Sequence, residues 1–127
     1  MTVWYAVQKK SVDAWDNGSH DLHEAVQMLA EQGSGLISII DEDDSFCINV
    51  IEYEELFGED NLESSVYDKD MDEITLTFFS GLMARGKAPE ESFEDEHYFD
   101  DDRAVAYFVA SSTIELPDGC SWEELCR

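Results

Sequence analysis

Apolar residues in the first third of the chain follow first the spacing of a strand and then the spacing of a helix. The segment 3–8, VWYAVQ, is short, aromatic and β-branched, which predicts a strand. From about His20 to Gln32, apolar residues recur every three or four positions, which predicts an amphipathic helix. Asp21 and Glu24 have the spacing of a capping box, and Gly33 is a typical residue just after a helix. The apolar side of this helix consists of Leu22, Ala25, Val26 and Leu29.

A β-hairpin is predicted directly after this helix. The segments 35–40, GLISII, and 46–51, FCINVI, are both apolar and β-branched, and the polar residues 41–45 separate them. Residues 52–57 predict one short helical turn. Residues 58–69 show no period and are interpreted as a polar connection.

The segment 70–86, DMDEITLTFFSGLMARG, carries two conflicting patterns. Ile74, Leu76 and Phe78 alternate as in a strand. Acidic residues gather at the start of the segment, however, and basic residues followed by Pro89 gather at its end. That polarity matches a helix dipole with ordinary start and stop signals, so the sequence predicts a helix here.

The final part of the chain predicts one more strand and a short helix. The segment 103–110, RAVAYFVA, is β-branched and aromatic, and residues 111–120 contain turn signals. Ser121 and Glu124 have capping-box spacing for the last helix. The order β-α-β-β-α-β predicts a small α+β single domain over residues 1–127. A ferredoxin-like sandwich is one such arrangement, and other α+β arrangements remain open.

Charge changes the picture more than any motif does. The 127 residues include 31 Asp and Glu against 7 Lys and Arg, a formal net charge of −24. Residues 41–102 hold 22 of the acids and three basic residues, a net −19 of that −24. With 43% hydrophobic and 12% aromatic residues, the chain is too apolar for a disordered acidic tail. Direct binding to nucleic acid or to an anionic membrane is excluded as a function, since both require a basic surface.

The cysteines and the N-terminus predict an intracellular, cytoplasmic location. The odd set Cys47, Cys120 and Cys126, without a secretion signal, is typical of a reducing compartment. No apolar stretch reaches the length of a bilayer span. Cys47 has apolar neighbours, which predicts a buried thiol.

Patterns for metal or nucleophilic chemistry are incomplete. The segment from Asp68 begins like a calcium loop, but Glu73 and Phe79 stand where Gly and a bidentate Glu are required. His20 and His23 could share a metal, but no third ligand follows at a fixed spacing. Adjacent carboxylates in a turn mostly diverge, which disfavours a two-metal site in the turn at 41–45. We therefore expect a non-enzymatic protein with no cofactor and no metal.

The acidic segments suggest a different kind of site, in which carboxylates imitate phosphates. Along one face of a strand, side chains repeat at roughly 6.6 Å, on the order of the spacing of neighbouring phosphates. A basic groove would accept such an array as a decoy, with long-range and salt-dependent attraction. Phe93, Tyr98 and Phe99 would then anchor the last acidic segment to the core or act as contact hot spots. The candidate contacts are Asp41, Glu42, Asp43, Asp44, Glu54, Glu55, Glu59, Asp60, Glu90, Glu91, Glu94, Asp95, Glu96, Asp100, Asp101 and Asp102.

Three segments carry a resemblance to a known class of proteins: DEDD at 41–44, EYEELFGED at 52–60 and EESFEDEHYFDDD at 90–102. In size and charge the chain resembles the small acidic inhibitors of phages and mobile elements, of the anti-CRISPR or anti-restriction type. That resemblance implies a nucleic-acid mimic that blocks the basic channel of a host nuclease, foremost a CRISPR effector.

Two alternatives stay open beside the mimic. The chain could be a small adaptor that docks through an apolar or mixed face, with its acidity serving solubility. It could also be a metal-dependent enzyme, which a binding titration with divalent cations would test. Under any of these readings, an exposed sheet edge would permit a homodimer.

Overall fold

Two antiparallel four-stranded sheets form the framework, in a computed structural model that describes residues 2–10, 14–89, 98–117 and 121–125. The strands are β1 (Val3–Gln8), β2 (Gly18–Ser19), β3 (Leu36–Asp41), β4 (Phe46–Glu52), β5 (Leu62–Asp68), β6 (Glu73–Phe78), β7 (Met83–Lys87) and β8 (Thr113–Glu115). The helices are α1 (Leu22–Gln32), α2 (Tyr53–Phe57), α3 (Asp102–Ser111) and α4 (Trp122–Leu125). Single 3₁₀ turns at Glu59–Asn61 and Tyr98–Asp100 precede β5 and α3. The α+β class predicted from the sequence is confirmed.

The first sheet has the order β2-β1-β3-β4, with β1 and β3 as its two central strands. β1 pairs with β3 from Val3 opposite Asp41 to Gln8 opposite Leu36. β3 and β4 form the expected hairpin, with a register shift between Ile39 and Ile40 that makes a β-bulge. The bulge and the outward position of β4 leave most of its side chains exposed, although the sequence is apolar.

The second sheet has the order β5-β6-β7-β8 and differs most from the sequence prediction. The segment 70–86 is a hairpin of β6 and β7 and not a helix, because Ile74, Leu76 and Phe78 all turn into the core. Gly81 has a φ of +94° in the turn that joins the two strands. The polar connection expected at 58–69 contains β5.

α1 confirms the helix predicted near residues 20–32, although its start is built differently. Asp21 is the N-cap and accepts from the N–H of His23 at 2.9 Å. Glu24 accepts from Ser19 Oγ at 2.6 Å instead of returning to the N–H of Asp21, which donates to Ser19 Oγ at 3.0 Å. Gly33 ends the helix with a φ of +80°.

α3 replaces the strand predicted at 103–110. Asp101 caps it by accepting from the N–H of Arg103 at 2.8 Å. Val105, Phe108 and Val109 are buried at helical spacing, which outweighs the strand propensity of the β-branched residues. The predicted order β-α-β-β-α-β and a single ferredoxin-like sheet are therefore wrong, while α2 and α4 lie where short helices were predicted.

One core joins the two sheets and the helices. Phe57 of α2 packs edge-on against Phe78 of β6, with ring centroids 5.4 Å apart. Phe99 packs against Phe108 of α3 with centroids 5.7 Å apart. In α1, Gln27 accepts from the N–H of Ile114 at 2.8 Å, so the helix covers the outer edge of β8. Throughout the described ranges, no helix is both long and apolar enough to cross a membrane.

Candidate acidic interface

The acidic turn between β3 and β4 contains four of the predicted contact residues, and they do different things. Asp41 is buried, and its Oδ1 accepts from the N–H of Asp43 at 3.0 Å, so it holds the turn. Glu42 Oε1 lies 2.6 Å from His20 Nε2. Asp43 Oδ2 accepts from the N–H of Thr2 at 3.2 Å, and Asp44 is exposed. The turn therefore presents three carboxylates to solvent and keeps one for its own structure.

The second predicted segment runs along α2 and the 3₁₀ turn that follows it. Glu54 and Glu55 are exposed on α2. The carbonyl of Glu54 accepts from the N–H of Gly58 at 3.0 Å and from Asn61 Nδ2 at 2.7 Å. These bonds fix the backbone that carries Glu59 and Asp60.

The third predicted segment meets the second. The N–H of Glu59 donates to Asp102 Oδ1 at 2.9 Å, which ties the 3₁₀ turn to the start of α3. Asp100, Asp101 and Asp102 are all exposed there. We call Glu59, Asp60, Asp100, Asp101 and Asp102 the junction cluster.

Like charges crowd around Glu59. Its pKa is raised above its ordinary value of 4.5 by partial desolvation and then by neighbouring carboxylates. Those carboxylates are Asp102, Asp60, Asp100 and Asp101, in order of effect. The junction cluster is therefore a local concentration of negative charge held by two elements of the fold.

The aromatic residues of the last segment have separate roles. Phe99 is buried and packs on Tyr98, with ring centroids 4.8 Å apart. It anchors the start of α3 to the core, as the sequence predicts. Phe93 and the candidate contacts Glu90, Glu91, Glu94, Asp95 and Glu96 lie outside the described residues.

The acidic segments do not merge into one patch. β4 has seven residues, so the acidic turn and α2, at its two ends, are about 20 Å apart. Further exposed carboxylates, such as Glu63 and Asp70, lie along and after β5. The fold therefore brings the second and third segments together and keeps the first apart.

The residues considered above for metal or nucleophilic chemistry lie apart or make other contacts in the described part of the chain. Nowhere in it do three or more His, Cys, Asp or Glu side chains converge as metal ligands would. His23 Nε2 contacts the carbonyl oxygen of Ile114 at 2.6 Å, so its ring turns away from that of His20. Asp68 Oδ1 accepts from the N–H of Asp70 at 2.9 Å and shapes a β-turn. Cys47 is exposed on β4, and the prediction of a buried thiol is wrong because β4 is an edge strand.

A cavity of about 360 Å³ next to the acidic turn was not foreseen from the sequence. Its lining residues are Trp4, Trp15, His20, Ile40, Glu42 and Ser45. The alternation of side chains along the first strand does indicate an aromatic residue on the outer face, where this cavity lies. In the first strand, Trp4 alternates with Val3 and Tyr5, so its indole must lie on the face of the sheet opposite to theirs.

Comparison with known proteins finds no similar family, protein or structure. No protein-family model matches the sequence, and neither a curated protein nor a solved structure matches it.

Proposed function

We propose that this protein is a non-enzymatic inhibitor that imitates the charge of nucleic acid and occupies the basic DNA- or RNA-binding channel of a nuclease, foremost a CRISPR effector. The observation that carries the proposal is the junction cluster. Its five carboxylates come from two segments about 40 residues apart in sequence, and the bond from Glu59 to Asp102 holds those segments together. A fixed anionic group of this kind loses little conformational entropy on binding a cationic groove.

Excess negative charge is the second support. The five carboxylates of the junction cluster have one basic neighbour in sequence, Arg103, while Arg85 pairs with Glu115 at 3.3 Å on the second sheet. The pKa of Glu59 is raised by desolvation and then by the neighbouring carboxylates, which repel its ionised form. Lys and Arg side chains of a partner would relieve that repulsion, so association should be fast and should weaken as salt rises.

The adaptor alternative has weaker support in the described residues. An adaptor needs a contiguous apolar surface. The exposed large apolar side chains are divided among several elements. Phe46 and Val50 lie near opposite ends of β4, and Val66 lies on β5, the edge strand of the other sheet. Met71 is 65% exposed and Phe79 is 68% exposed, but they stand at opposite ends of β6. Tyr107, the most exposed, belongs to α3.

The test measures competition with nucleic acid. The immobilised protein is offered to purified nucleases, including a guide-loaded CRISPR effector, at low and at high salt. We expect a bound nuclease to be released by duplex DNA or RNA, because both ligands would fill the same channel. A partner that holds nucleic acid and this protein at the same time contradicts the proposal.

Matched variants locate the contact. The variant Glu59→Gln/Asp60→Asn/Asp101→Asn removes three charges from the junction cluster, and Asn at position 101 still caps α3. The control Glu31→Gln/Glu63→Gln/Asp70→Asn removes three exposed charges elsewhere. We expect the first variant to bind at least tenfold more weakly than the control. Equal binding by the two would remove the junction cluster from the contact.

A further inference from the structure

The cavity beside the acidic turn lies on the outer face of the first sheet. Val7, Ile37 and Ile51 point from this sheet into the core. Trp4 lies opposite Ile40 in the pairing of β1 with β3, and both belong to the other face. The cavity is therefore separate from the core and opens to solvent.

Three of its lining residues, Trp4, Trp15 and His20, are aromatic, and the indole of Trp4 is held in place. Trp4 Nε1 donates to the carbonyl oxygen of Trp15 at 2.9 Å. The ring of His20 meets Trp4 edge-on, with centroids 4.8 Å apart and an interplanar angle of 71°. Trp15 is itself 38% exposed. Ile40 is buried beneath them, so the base of the cavity is apolar.

A carboxylate stands at the rim of this apolar cavity. Glu42 Oε1 is engaged by His20 Nε2 at 2.6 Å, and the glutamate side chain is 40% exposed. Within the described residues, no donor reaches Oε2. Asp44, exposed in the same turn, adds negative charge nearby.

Indole faces and a partly free carboxylate are complementary to one chemical group in particular. A guanidinium stacks flat on an indole, is attracted to its π face and donates paired N–H groups to a carboxylate. We propose that this cavity binds the guanidinium of an arginine side chain on the basic partner. The source of that arginine rests on the proposed function, whereas the affinity of the cavity for a guanidinium does not.

The geometry favours arginine over the other candidate occupants. An ammonium is compact and strongly hydrated, and it gains less than a planar guanidinium from stacking on an indole. A neutral apolar group would leave Oε2 of the rim carboxylate of Glu42 without a donor. At about 360 Å³ the cavity also has room for the aliphatic stem of the side chain.

The test uses the isolated protein and small ligands. N-acetyl-arginine amide is titrated while tryptophan fluorescence and the indole N–H resonance of Trp4 are followed. N-acetyl-citrulline amide, which has nearly the same shape and no charge, is the ligand control, and N-acetyl-lysine amide tests the ammonium. We expect a saturable change with the arginine ligand that is at least tenfold stronger than with citrulline.

Variants show whether the signal comes from this cavity. Glu42→Gln keeps an acceptor for His20 and removes the charge, and we expect at least tenfold weaker binding of the arginine ligand. Trp15→Leu keeps the backbone carbonyl that holds Trp4 and should weaken binding similarly. Glu31→Gln, on the exposed surface of α1, should bind as the unmodified protein does.

Each contrary result overturns the assignment. No saturable change up to about 0.1 M arginine ligand means that there is no specific site. Equal binding of arginine and citrulline, tighter binding of lysine, or an unaffected Glu42→Gln variant contradicts guanidinium recognition. The cavity can pass this test while competition with nucleic acid fails, or the reverse, so the two proposals can fail separately.

Discussion

The N–H of Glu59 and Oδ1 of Asp102 lie 2.9 Å apart across 43 positions of the chain. This bond connects the turn after α2 to the first residue of α3. It also brings like charges together, and the nearby Asp102 carboxylate therefore contributes to the raised pKa of Glu59. One contact therefore stabilises the local structure and concentrates its negative charge.

Substitutions at Asp102 separate these two effects. Asp102→Ala removes the acceptor and a favourable charge at the start of α3, so we expect a loss of about 1 kcal/mol in the free energy of unfolding. Asp102→Asn keeps an acceptor oxygen and relieves repulsion, so its loss should be smaller. Urea denaturation at low salt measures both. Equal losses would mean that the hydrogen bond contributes nothing.

The raised pKa of Glu59 makes stability depend on pH. The folded state binds this proton more tightly than the unfolded chain, so protonation favours folding. The contribution of Glu59 therefore falls as the pH rises from 4.5 through the folded-state pKa, and it stays low above that. Glu59→Gln does not titrate, so we expect its stability relative to the unmodified protein to increase over the same interval.

Denaturation curves between pH 4 and pH 7 at low salt test this expectation. Added salt should reduce the difference, because part of the shift is coulombic. Glu31→Gln reports the effect of losing one exposed charge elsewhere. If the free energy of unfolding of Glu59→Gln, relative to the unmodified protein, decreases as the pH rises, the expectation is contradicted.

Tyr53 carries a buried hydroxyl for which the described residues offer no hydrogen-bond partner. Burial, followed by the charges of Asp102 and Glu54, raises its pKa to about 12. An unsatisfied buried hydroxyl is destabilising, so we expect Tyr53→Phe to raise the free energy of unfolding by roughly 1 kcal/mol. Thermal and urea denaturation measure the change.

Tyr67→Phe is the control, since Tyr67 Oη donates to Asp72 Oδ1 at 3.0 Å. That variant should not gain stability. A loss of stability in Tyr53→Phe would instead indicate that a bound water satisfies the hydroxyl.

Gly81 distinguishes the observed hairpin from the helix predicted at 70–86. In a helix, Gly81→Ala would stabilise the protein. In the hairpin, residue 81 has a φ of +94°, and a Cβ there would lie 2.8 Å from Pro117 Cγ. We therefore expect Gly81→Ala to lower the free energy of unfolding by about 1–2 kcal/mol. A stabilised variant would contradict the turn.

Local patterns identified the elements with a clear sequence signature. α1 was predicted because its apolar residues repeat at helical spacing, and the β3–β4 hairpin because a polar turn separates two β-branched apolar runs. The hairpin of β6 and β7 was missed because the distribution of charge was weighted above the alternation of Ile74, Leu76 and Phe78. β5 could not be seen, since an edge strand with exposed side chains on both faces has no alternation.

The candidate site was accessible from sequence only in part. Its acidic residues are evident from composition, but the meeting of Glu59 with Asp102 depends on contacts between distant segments. His20 and Glu42 were each noticed for other reasons, and only the pairing of β1 with its neighbours brings them together. Composition states how much charge there is, and tertiary structure decides where it lies.

The β3–β4 hairpin acts as a ruler of about 20 Å between the acidic turn and α2. A surface with cationic sites at that separation could hold both ends at once, and no flexible linker would have to be ordered. Occupancy of one end would then raise the effective concentration of the other, so two individually weak contacts would give a long residence time. Removing the charges at either end would then lower the overall affinity by more than the loss of that single contact. A partner whose basic sites have a different spacing would bind through only one end.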